Sequence, residues 1–235
     1  MLTVKRLAQE LGVSLSTCYR LVNILVEEGY LQKVSTRGGY GLGPAVAALR
    51  AGEPGGDLLE AVLEPIIGEL AQRSGRHAYL GLLSDGAVTV SRVESPPGSP
   101  PVGVVQGFHG ASHALALGKV LIAGSGGASE YVVGFGLEAF TPRTIVRPDL
   151  FESHLAAIRS RGFATDVEEF AENLCCVAAP IIGEDGEVEG AIGVSTSVGR
   201  FAGEARSLVD LVRRASDEAS TLIARESRAI GLKDR

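Results

Sequence analysis

The stretch LAQELGVSLSTCYRL at residues 7–21 holds parts of two amphipathic helices separated by a glycine. Thr3 is a preferred N-cap for a first helix over residues 4–11, and Gly12 favours its end. Ser14 is placed to cap a second helix over residues 15–28. Two helices joined by so short a turn cross steeply, as in a helix-turn-helix. Helical spacing predicts a buried stripe on each helix, formed by Val4, Leu7, Ala8 and Leu11 and by Leu15, Cys18, Leu21, Val22 and Leu25.

The opposite face of the second helix carries side chains suited to DNA. Asparagine can pair with adenine and arginine with guanine, while hydroxyl groups can hold phosphates. The N-terminus of the helix itself favours a phosphate. A pair of helices used for protein contacts is the alternative, and Tyr19 fits packing as well as contact. The predicted DNA-contacting residues on this helix are Ser14, Ser16, Thr17, Tyr19, Arg20 and Asn23.

A β-hairpin is predicted directly after the second helix. Residues 30–34 and 40–42 have strand composition, and the glycine-rich sequence STRGG lies between them at 35–39. Arg37 at the tip is placed to enter a minor groove or to touch the DNA backbone, as a wing does. The order of the elements, which is short helix, polar-faced helix and basic hairpin, favours a winged helix-turn-helix that binds double-stranded DNA.

The charge is unevenly distributed along the chain. The net charge is −6, but residues 1–43 hold five basic and three acidic residues, so the remaining chain carries −8. A basic head on an acidic body suits a protein that presents only its head to a polyanion. Three cysteines, two of them adjacent, argue against disulfides and for a reducing, cytoplasmic setting. No run of about 18 apolar residues predicts a membrane span, and residues 1–10 do not form a secretory signal.

The organisation predicted from the sequence is α+β with two domains. The DNA-binding domain covers residues 1–43, a linker helix and hinge cover 44–56, and the second domain covers 57–235. The sequence GEPGG at 52–56 is the boundary signal. The second domain is expected to be an antiparallel sheet with helices packed on one side. Strands are predicted at 77–83, 87–94, 102–106, 175–182 and 188–197, and helices at 57–74 with a kink at Pro65, 114–123, 129–134, 148–161 and 205–225.

Several motifs in order resemble the IclR family of bacterial transcription regulators. They are residues 7–21, YGLG at 40–43, HALALGK at 113–119, FTPRTI at 140–145, IRSRGFATDVEE at 158–169 and CVAAPI at 176–181. The resemblance implies a GAF-like effector-binding domain, a homodimer or homotetramer, and a small-molecule effector that is often an organic acid. It also implies a repressor that reads a pseudo-palindromic operator, with the effector acting through the linker on the placement of the DNA-binding heads.

The resemblance also implies where the effector binds. Backbone N–H groups of Ala116 and Leu117 match positions that hold an anion, and a helix N-terminus suits a carboxylate. Two departures, Leu115-Ala116-Leu117 and Gly193, add apolar area where the family often has polar groups. They predict an effector larger and more hydrophobic than a two- or three-carbon keto acid. Ordinary strand packing and a carboxylate satisfied by backbone donors are the alternatives for the remaining positions, which are Asp166, Cys176 and Ser195.

One departure concerns the DNA-binding head. In the family a further helix precedes the helix-turn-helix, whereas Met1 here stands directly before it. That helix would cover Val4, Leu7, Leu11 and Leu21. Without it, these residues are expected to lie open unless an upstream start, a partner chain or the linker supplies the cover.

Two other functions stay open at this stage. One is a ligand-binding co-regulator or scaffold without DNA binding. The other is a GAF-type thiol redox enzyme, which is disfavoured because Cys175 and Cys176, as neighbours on a strand, point to opposite faces. His109 and His113 have no acidic or thiol neighbour, so neither a metal site nor a cofactor is expected. The sequence therefore favours a regulator over an enzyme.

Overall fold

The computed structural model describes residues 2–33, 39–42, 56–84, 87–99 and 104–231. The chain divides into two compact units, Met1–Asp57 with Val102–Phe108 and Leu58–Pro101 with His109–Arg235. The α+β class with a helix-turn-helix unit and an antiparallel sheet is confirmed. The predicted linker lies, up to residue 55, outside the described residues.

The described part of the first unit contains two helices and a small antiparallel sheet. Strand order in the sheet is β1-β3-β2, so β2 and β3 form the predicted hairpin while β1 was not predicted. The tip of the hairpin, with Arg37, lies outside the described residues. The elements are β1 (Leu2–Thr3), α1 (Val4–Glu10), α2 (Leu15–Glu27), β2 (Leu31–Lys33) and β3 (Gly39–Leu42).

Side-chain caps set the starts of both helices, as the sequence predicts. Thr3 Oγ1 accepts a hydrogen bond from the Arg6 backbone N–H at 3.4 Å, and Ser14 Oγ accepts one from the Thr17 N–H at 3.1 Å. Gly12 adopts a φ of +63° after α1, a conformation that costs glycine little. These local signals fix the turn between α1 and α2.

The core of the first unit is narrower than the predicted stripes. Val4, Ala8, Cys18 and Val22 are buried together with Tyr40 from β3. Leu15 and Leu25 are 47% and 40% exposed, so their predicted burial was wrong. Leu11 and Leu21 are 61% and 45% exposed, as expected without a preceding helix, whereas Val4, which was also expected to lie open, is only 4% exposed. Two short helices and a three-stranded sheet cover only the centre of each apolar stripe, so its flanks stay open. The exposed leucines are Leu11, Leu15, Leu21 and Leu25.

The second unit is built on a five-stranded antiparallel sheet with the order β5-β4-β8-β7-β6. Its strands are β4 (Ala78–Ser84), β5 (Ala87–Glu94), β6 (Ala164–Val167), β7 (Leu174–Ile182) and β8 (Val188–Ser197). Its helices are α3 (Gly56–Ser74), α4 (Ala116–Ser125), α5 (Ala128–Phe135), α6 (Pro148–Arg161) and α7 (Val198–Gly231).

Helices cover both faces of this sheet, so the prediction of one covered side was wrong. Alternate residues of β4, β7 and β8, among them Leu80, Val177 and Ile192, form a core with α3 and α7. The residues between them point the other way. There Leu117 of α4 lies against Gly81, where an added Cβ would be 3.3 Å from the Cβ of Leu117. The central strands β4, β8 and β7 are therefore covered on both faces, which explains their long apolar runs.

Helix α3 is continuous through Pro65, so it does not restart there. Two further details differ from the prediction. Of the predicted strand at 102–106, residues 104–106 are not a strand, and 102–103 lie outside the described residues. Within the described residues, the other edge of β5 forms a single bridge, between Thr89 and His109. Edge strand β6 was not predicted, because four residues directly after a helix are too few to show a pattern of period two.

Candidate functional site

The N-terminus of α2 presents a cluster of three hydroxyl groups. Ser14 Oγ lies 2.9 Å from Ser16 Oγ and 2.8 Å from Thr17 Oγ1, in addition to capping the Thr17 N–H. All three residues are exposed. Hydroxyl groups beside the free N–H groups of a helix N-terminus can hold a phosphate.

The remaining predicted contacts on α2 are exposed as well. Arg20 and Asn23 face solvent, and Tyr19 is 49% exposed, so half of its surface is free for contact. At about 100° per residue, Ser16 and Arg20 lie about 160° from the buried Cys18 around the helix axis, and Thr17 lies about 100° from it. The structure thus brings the predicted α2 residues onto one exposed surface, while Arg37 falls outside the described residues. That surface also includes Ile24, which the sequence reading did not select because it is apolar.

A second site lies on the α4 side of the large sheet. Asp166 pairs with Cys176 across β6 and β7, and Cys176 pairs with Ser195 across β7 and β8. We call these three residues the polar row. Gly193 lies two positions before Ser195 on the same face, opposite Tyr79 of β4. The cross-strand register therefore brings together four of the effector positions implied by the family resemblance.

The first turn of α4 lies on the same face of the sheet. Its N-cap residue, Leu115, offers no side-chain acceptor, so the first-turn N–H groups receive no cap from it. Ala116 and Leu117 are buried, and Leu117 contacts β4 at Gly81, two residues after Tyr79. The partial positive charge of a buried helix N-terminus is suited to a carboxylate.

Gly193 has no room for a side chain. An added Cβ would lie 2.6 Å from the Val177 carbonyl oxygen and 3.1 Å from the Ala178 Cβ. The serine that the family often carries at this position would therefore clash here. Gly193 contributes shape to the site and no hydrogen-bonding group of a side chain.

Tyr79 was not predicted as a site residue, but it lies beside the polar row. Its hydroxyl lies 2.9 Å from Ser195 Oγ, and burial raises its pKa, so it stays a neutral donor and acceptor. The Ser195 backbone N–H donates to His77 O at 3.1 Å. Only the cross-strand register connects residue 79 with residue 195, and no local pattern shows it.

Asp166 is fully buried, and one of its oxygens has no partner of normal geometry among the described residues. Oδ1 accepts from the Glu169 N–H at 2.8 Å, while Oδ2 accepts no such hydrogen bond. Burial raises the pKa of Asp166 to about 7, against the opposing effects of the Lys119 charge and the Glu169 N–H. Near neutral pH this carboxyl group can therefore either donate or accept a hydrogen bond.

Glu169, whose N–H donates to Asp166, also forms a buried ion pair with Lys119. Lys119 Nζ donates to Glu169 Oε1 at 2.6 Å and to Thr165 O at 2.7 Å, and its side chain is 0% exposed. The signal for Lys119 was present in the sequence, because it is the one charged residue in the apolar run ALGKVLIA at 116–123. The pair connects α4 to β6 and to the turn that follows it.

The thiol groups are poorly placed for redox chemistry. Cys175 and Cys176 are free and point to opposite faces of β7. Burial, assisted by the Asp166 carboxylate, raises the pKa of Cys176 well above its usual value and disfavours the reactive thiolate. Within the described residues no group of three or more His, Cys, Asp or Glu is arranged to hold a metal ion.

None of the helices within the described ranges is long and apolar enough to cross a membrane.

The His113 imidazole, next to α4, is hydrogen-bonded at both nitrogens, to Tyr131 Oη at 3.1 Å and to Glu138 O at 2.9 Å. Burial lowers its pKa. His113 therefore serves to hold the segment before α4 rather than to bind a metal.

Family models match both parts of the chain. The model of the IclR helix-turn-helix domain matches residues 1–35, and that of the bacterial transcriptional regulator IclR C-terminal domain matches residues 57–221.

Curated relatives agree with both matches. The chain is 33% identical over 217 residues to a glycerol operon regulatory protein of Streptomyces coelicolor, covering 90% of this chain and 83% of the relative. It is 29% identical over 205 residues to the transcriptional repressor IclR of Escherichia coli, covering 83% of this chain and 73% of that protein.

A solved structure shares the fold. It is an IclR homolog from Microbacterium hydrocarbonoxydans complexed with 4-hydroxybenzoate, with a TM-score of 0.69, 21% identity, and coverage of 94% of this chain and 90% of that one.

Proposed function

Because the chain belongs to the IclR family of bacterial transcriptional regulators, we propose that it is a cytoplasmic repressor whose operator binding is controlled by a small organic acid. The observation that carries the effector part is the polar row of Asp166, Cys176 and Ser195, which lies on the same face of the sheet as the first turn of α4.

The DNA-binding part of the proposal rests on α2. Arg20 and Asn23 read base edges in the major groove, and Tyr19 contacts the duplex beside them. The hydroxyl groups of Ser14, Ser16 and Thr17 hold phosphate at the helix N-terminus. Arg37 contacts the minor groove or backbone from the wing. A homodimer, alone or within a tetramer, places two such helices on a pseudo-palindromic operator.

In the effector part, a ligand carboxylate binds to the backbone N–H groups of Ala116 and Leu117. A polar group at the other end of the ligand meets Asp166 and Ser195, with Cys176 and Gly193 lining the space between. The carboxyl groups of Asp166 and Glu169 lie near one ammonium group, that of Lys119, which is paired with Glu169. The strand side of the site therefore has little positive charge to attract a carboxylate. This asymmetry favours a hydroxy acid bound with its carboxylate at α4 and its hydroxyl group at the polar row.

The relatives are consistent with this class of ligand. The Microbacterium protein was crystallised in complex with 4-hydroxybenzoate, which has a carboxylate at one end and a hydroxyl group at the other. We therefore propose an effector with an apolar body between two polar ends, larger than glyoxylate or pyruvate. The raised pKa of Cys176 supports a role in lining the site rather than in thiol catalysis.

A thermal-shift screen tests the effector. We expect hydroxybenzoates or related hydroxy acids to raise the melting temperature, because a ligand that binds only the folded state stabilises it. Asp166→Asn should change the ranking of ligands with and without a hydroxyl group, while Asp210→Asn on the exposed side of α7 should not. Stabilisation by pyruvate or glyoxylate, with no response to larger acids, contradicts the proposal.

An electrophoretic shift with the promoter region of the gene itself tests the repressor. We expect salt-sensitive binding that exceeds binding to random DNA and that changes when the screened acid is added. Failure to bind even at low salt favours the second candidate, a ligand-binding co-regulator without DNA binding. The observation that supports this candidate is the leucine flank, which we define as the exposed residues Leu11, Leu15, Leu21 and Leu25 of the first unit.

A further inference from the structure

Ile24 is an apolar residue on the side of α2 that points away from the core. Cys18 and Val22, which are 1% and 3% exposed, mark the buried side of the helix, whereas Ile24 is 44% exposed. At about 100° per residue, Ile24 lies about 120° from Cys18 and about 160° from Val22 around the helix axis. The core of the first unit therefore does not account for an isoleucine at this position.

Its neighbours on the helix surface are polar at Thr17 and Arg20 and apolar at Leu21. Ile24 lies about 20° from Thr17 and about 40° from Arg20 in projection, since residues four and seven apart share a face. Thr17 and Arg20 belong to the surface to which the proposed function assigns DNA contact. Ile24 extends that surface by one turn toward the C-terminus of α2.

The exposed leucines Leu21 and Leu25 border Ile24 on one side. Leu21 lies about 60° and Leu25 about 100° from Ile24, both on the side away from Asn23. A segment that covered these leucines would lie along the flank of α2. Ile24 lies between these leucines and the surface to which the proposed function assigns DNA contact.

We propose that Ile24 is a further sequence-reading residue, which packs against the 5-methyl group of a thymine in the major groove. An isoleucine side chain cannot hydrogen-bond to a phosphate, and the thymine methyl is the apolar group that the major groove exposes. With a rise of 1.5 Å per residue, Ile24 lies about 12 Å along α2 from Ser16, comparable to the width of the groove of about 12 Å. This inference rests on the proposed function, since it requires α2 to bind DNA.

The test uses duplexes with and without the methyl group. The full-length wild-type protein selects binding sites from a random duplex library, and each thymine of the selected site is then replaced by deoxyuridine, which lacks only the 5-methyl group. Fluorescence anisotropy measures Kd for both duplexes. We expect one thymine in each half-site to lose about fourfold in affinity on replacement, the fold-change for burying one methyl-sized group.

Variants assign the effect to one residue. Ile24→Ala should bind the thymine and deoxyuridine duplexes with equal Kd, and Leu25→Ala, an exposed neighbour on the leucine flank, should keep the wild-type ratio. Equal melting temperatures of the two variants exclude a folding effect. The proposal is overturned if Ile24→Ala keeps the wild-type ratio, or if no thymine methyl affects wild-type binding. If the wild type selects no sequence, the DNA-binding function itself fails, and a site that is selected without methyl dependence refutes only the role of Ile24.

Discussion

Lys119 and Glu169 form an ion pair with an Nζ–Oε1 distance of 2.6 Å, and the lysine side chain is completely shielded from solvent. The pair joins α4, whose first turn belongs to the candidate effector site, to the turn that follows β6, and Lys119 also holds Thr165 O. Asp166 lies in the sequence between Thr165 and Glu169, both of which Lys119 contacts. The geometry of the effector site therefore depends on a charge pair that does not itself belong to the polar row.

We expect Lys119→Met to reduce the free energy of unfolding by about 3–5 kcal/mol, because it leaves the Glu169 carboxylate buried without its partner. Chemical denaturation of the full chain measures the change. Arg73→Met is the matched control, since Arg73 and Glu69 form an exposed pair at 3.1 Å that should contribute less than about 1 kcal/mol. Equal losses in the two variants would show that the buried pair contributes no more than a surface one.

Asp166 should make stability depend on pH in a defined direction. Its pKa is raised from 3.8 to about 7 by burial, so the folded state holds the proton more tightly than the unfolded state. The stabilisation from this group is complete below pH 4 and is lost as pH rises toward and through 7. Relative to Asp166→Asn, the wild type should lose on the order of 2–4 kcal/mol between pH 4 and pH 8.

Denaturation of both proteins across this pH range measures the difference and cancels contributions common to both, such as that of His154, whose pKa is lowered to about 4. A difference that is constant with pH, or that grows in favour of the wild type at high pH, would mean that Asp166 is ionised throughout.

Arg20→Ala should weaken binding to the selected operator by about 1–3 kcal/mol and relax the preference at one base position, if Arg20 reads a base. The measurement compares Kd on operator and random duplexes. Arg206→Ala, an exposed arginine of α7, controls for the change in net charge and should leave both values unchanged. An equal loss on the two duplexes would reassign Arg20 to a phosphate contact.

Gly193→Ser should destabilise the second unit by roughly 1–3 kcal/mol, because its Cβ would lie 2.6 Å from the Val177 carbonyl oxygen and a backbone atom must shift. Thermal unfolding provides the measurement. Gly134→Ala in α5 is the contrasting control. The added Cβ at residue 134 has nothing within 4 Å, so this substitution should raise the free energy of unfolding by roughly 0.5–1 kcal/mol through helix propensity. A neutral Gly193→Ser would mean that strand β7 can yield at Val177.

The sequence predicted most helices and strands because their ends carry strong local signals. Ser14 and Thr3 cap helices in the structure as their positions predict, and Pro148–Arg161 and Val188–Ser197 have the predicted bounds. Burial on α2 was predicted less well. Amphipathic spacing shows where the apolar side chains lie on the helix, whereas the exposure of Leu15 and Leu25 depends on what packs beside the helix.

The candidate effector site divides in the same way. Asp166, Cys176 and Ser195 were predicted from the family resemblance, and the register of three strands places them in one row. Tyr79 was not found, because its contact with Ser195 spans 116 positions of the chain. The lack of space for a side chain at Gly193 could not be predicted from the sequence either, since it depends on the distance to the Val177 carbonyl oxygen on the neighbouring strand.

The position of β6 at the edge of the sheet has a consequence for detecting the effector. Asp166 sits on a four-residue strand that pairs with β7 alone within the described part of the chain, and Lys119 supplies an ammonium to one of its carbonyl groups. Short edge strands open at lower free energy than central ones, so their amide hydrogens exchange early. The effector would then be held by the least protected strand of the sheet. Its arrival should appear first as slowed hydrogen exchange in Ala164–Val167, while the central strand β8 hardly changes.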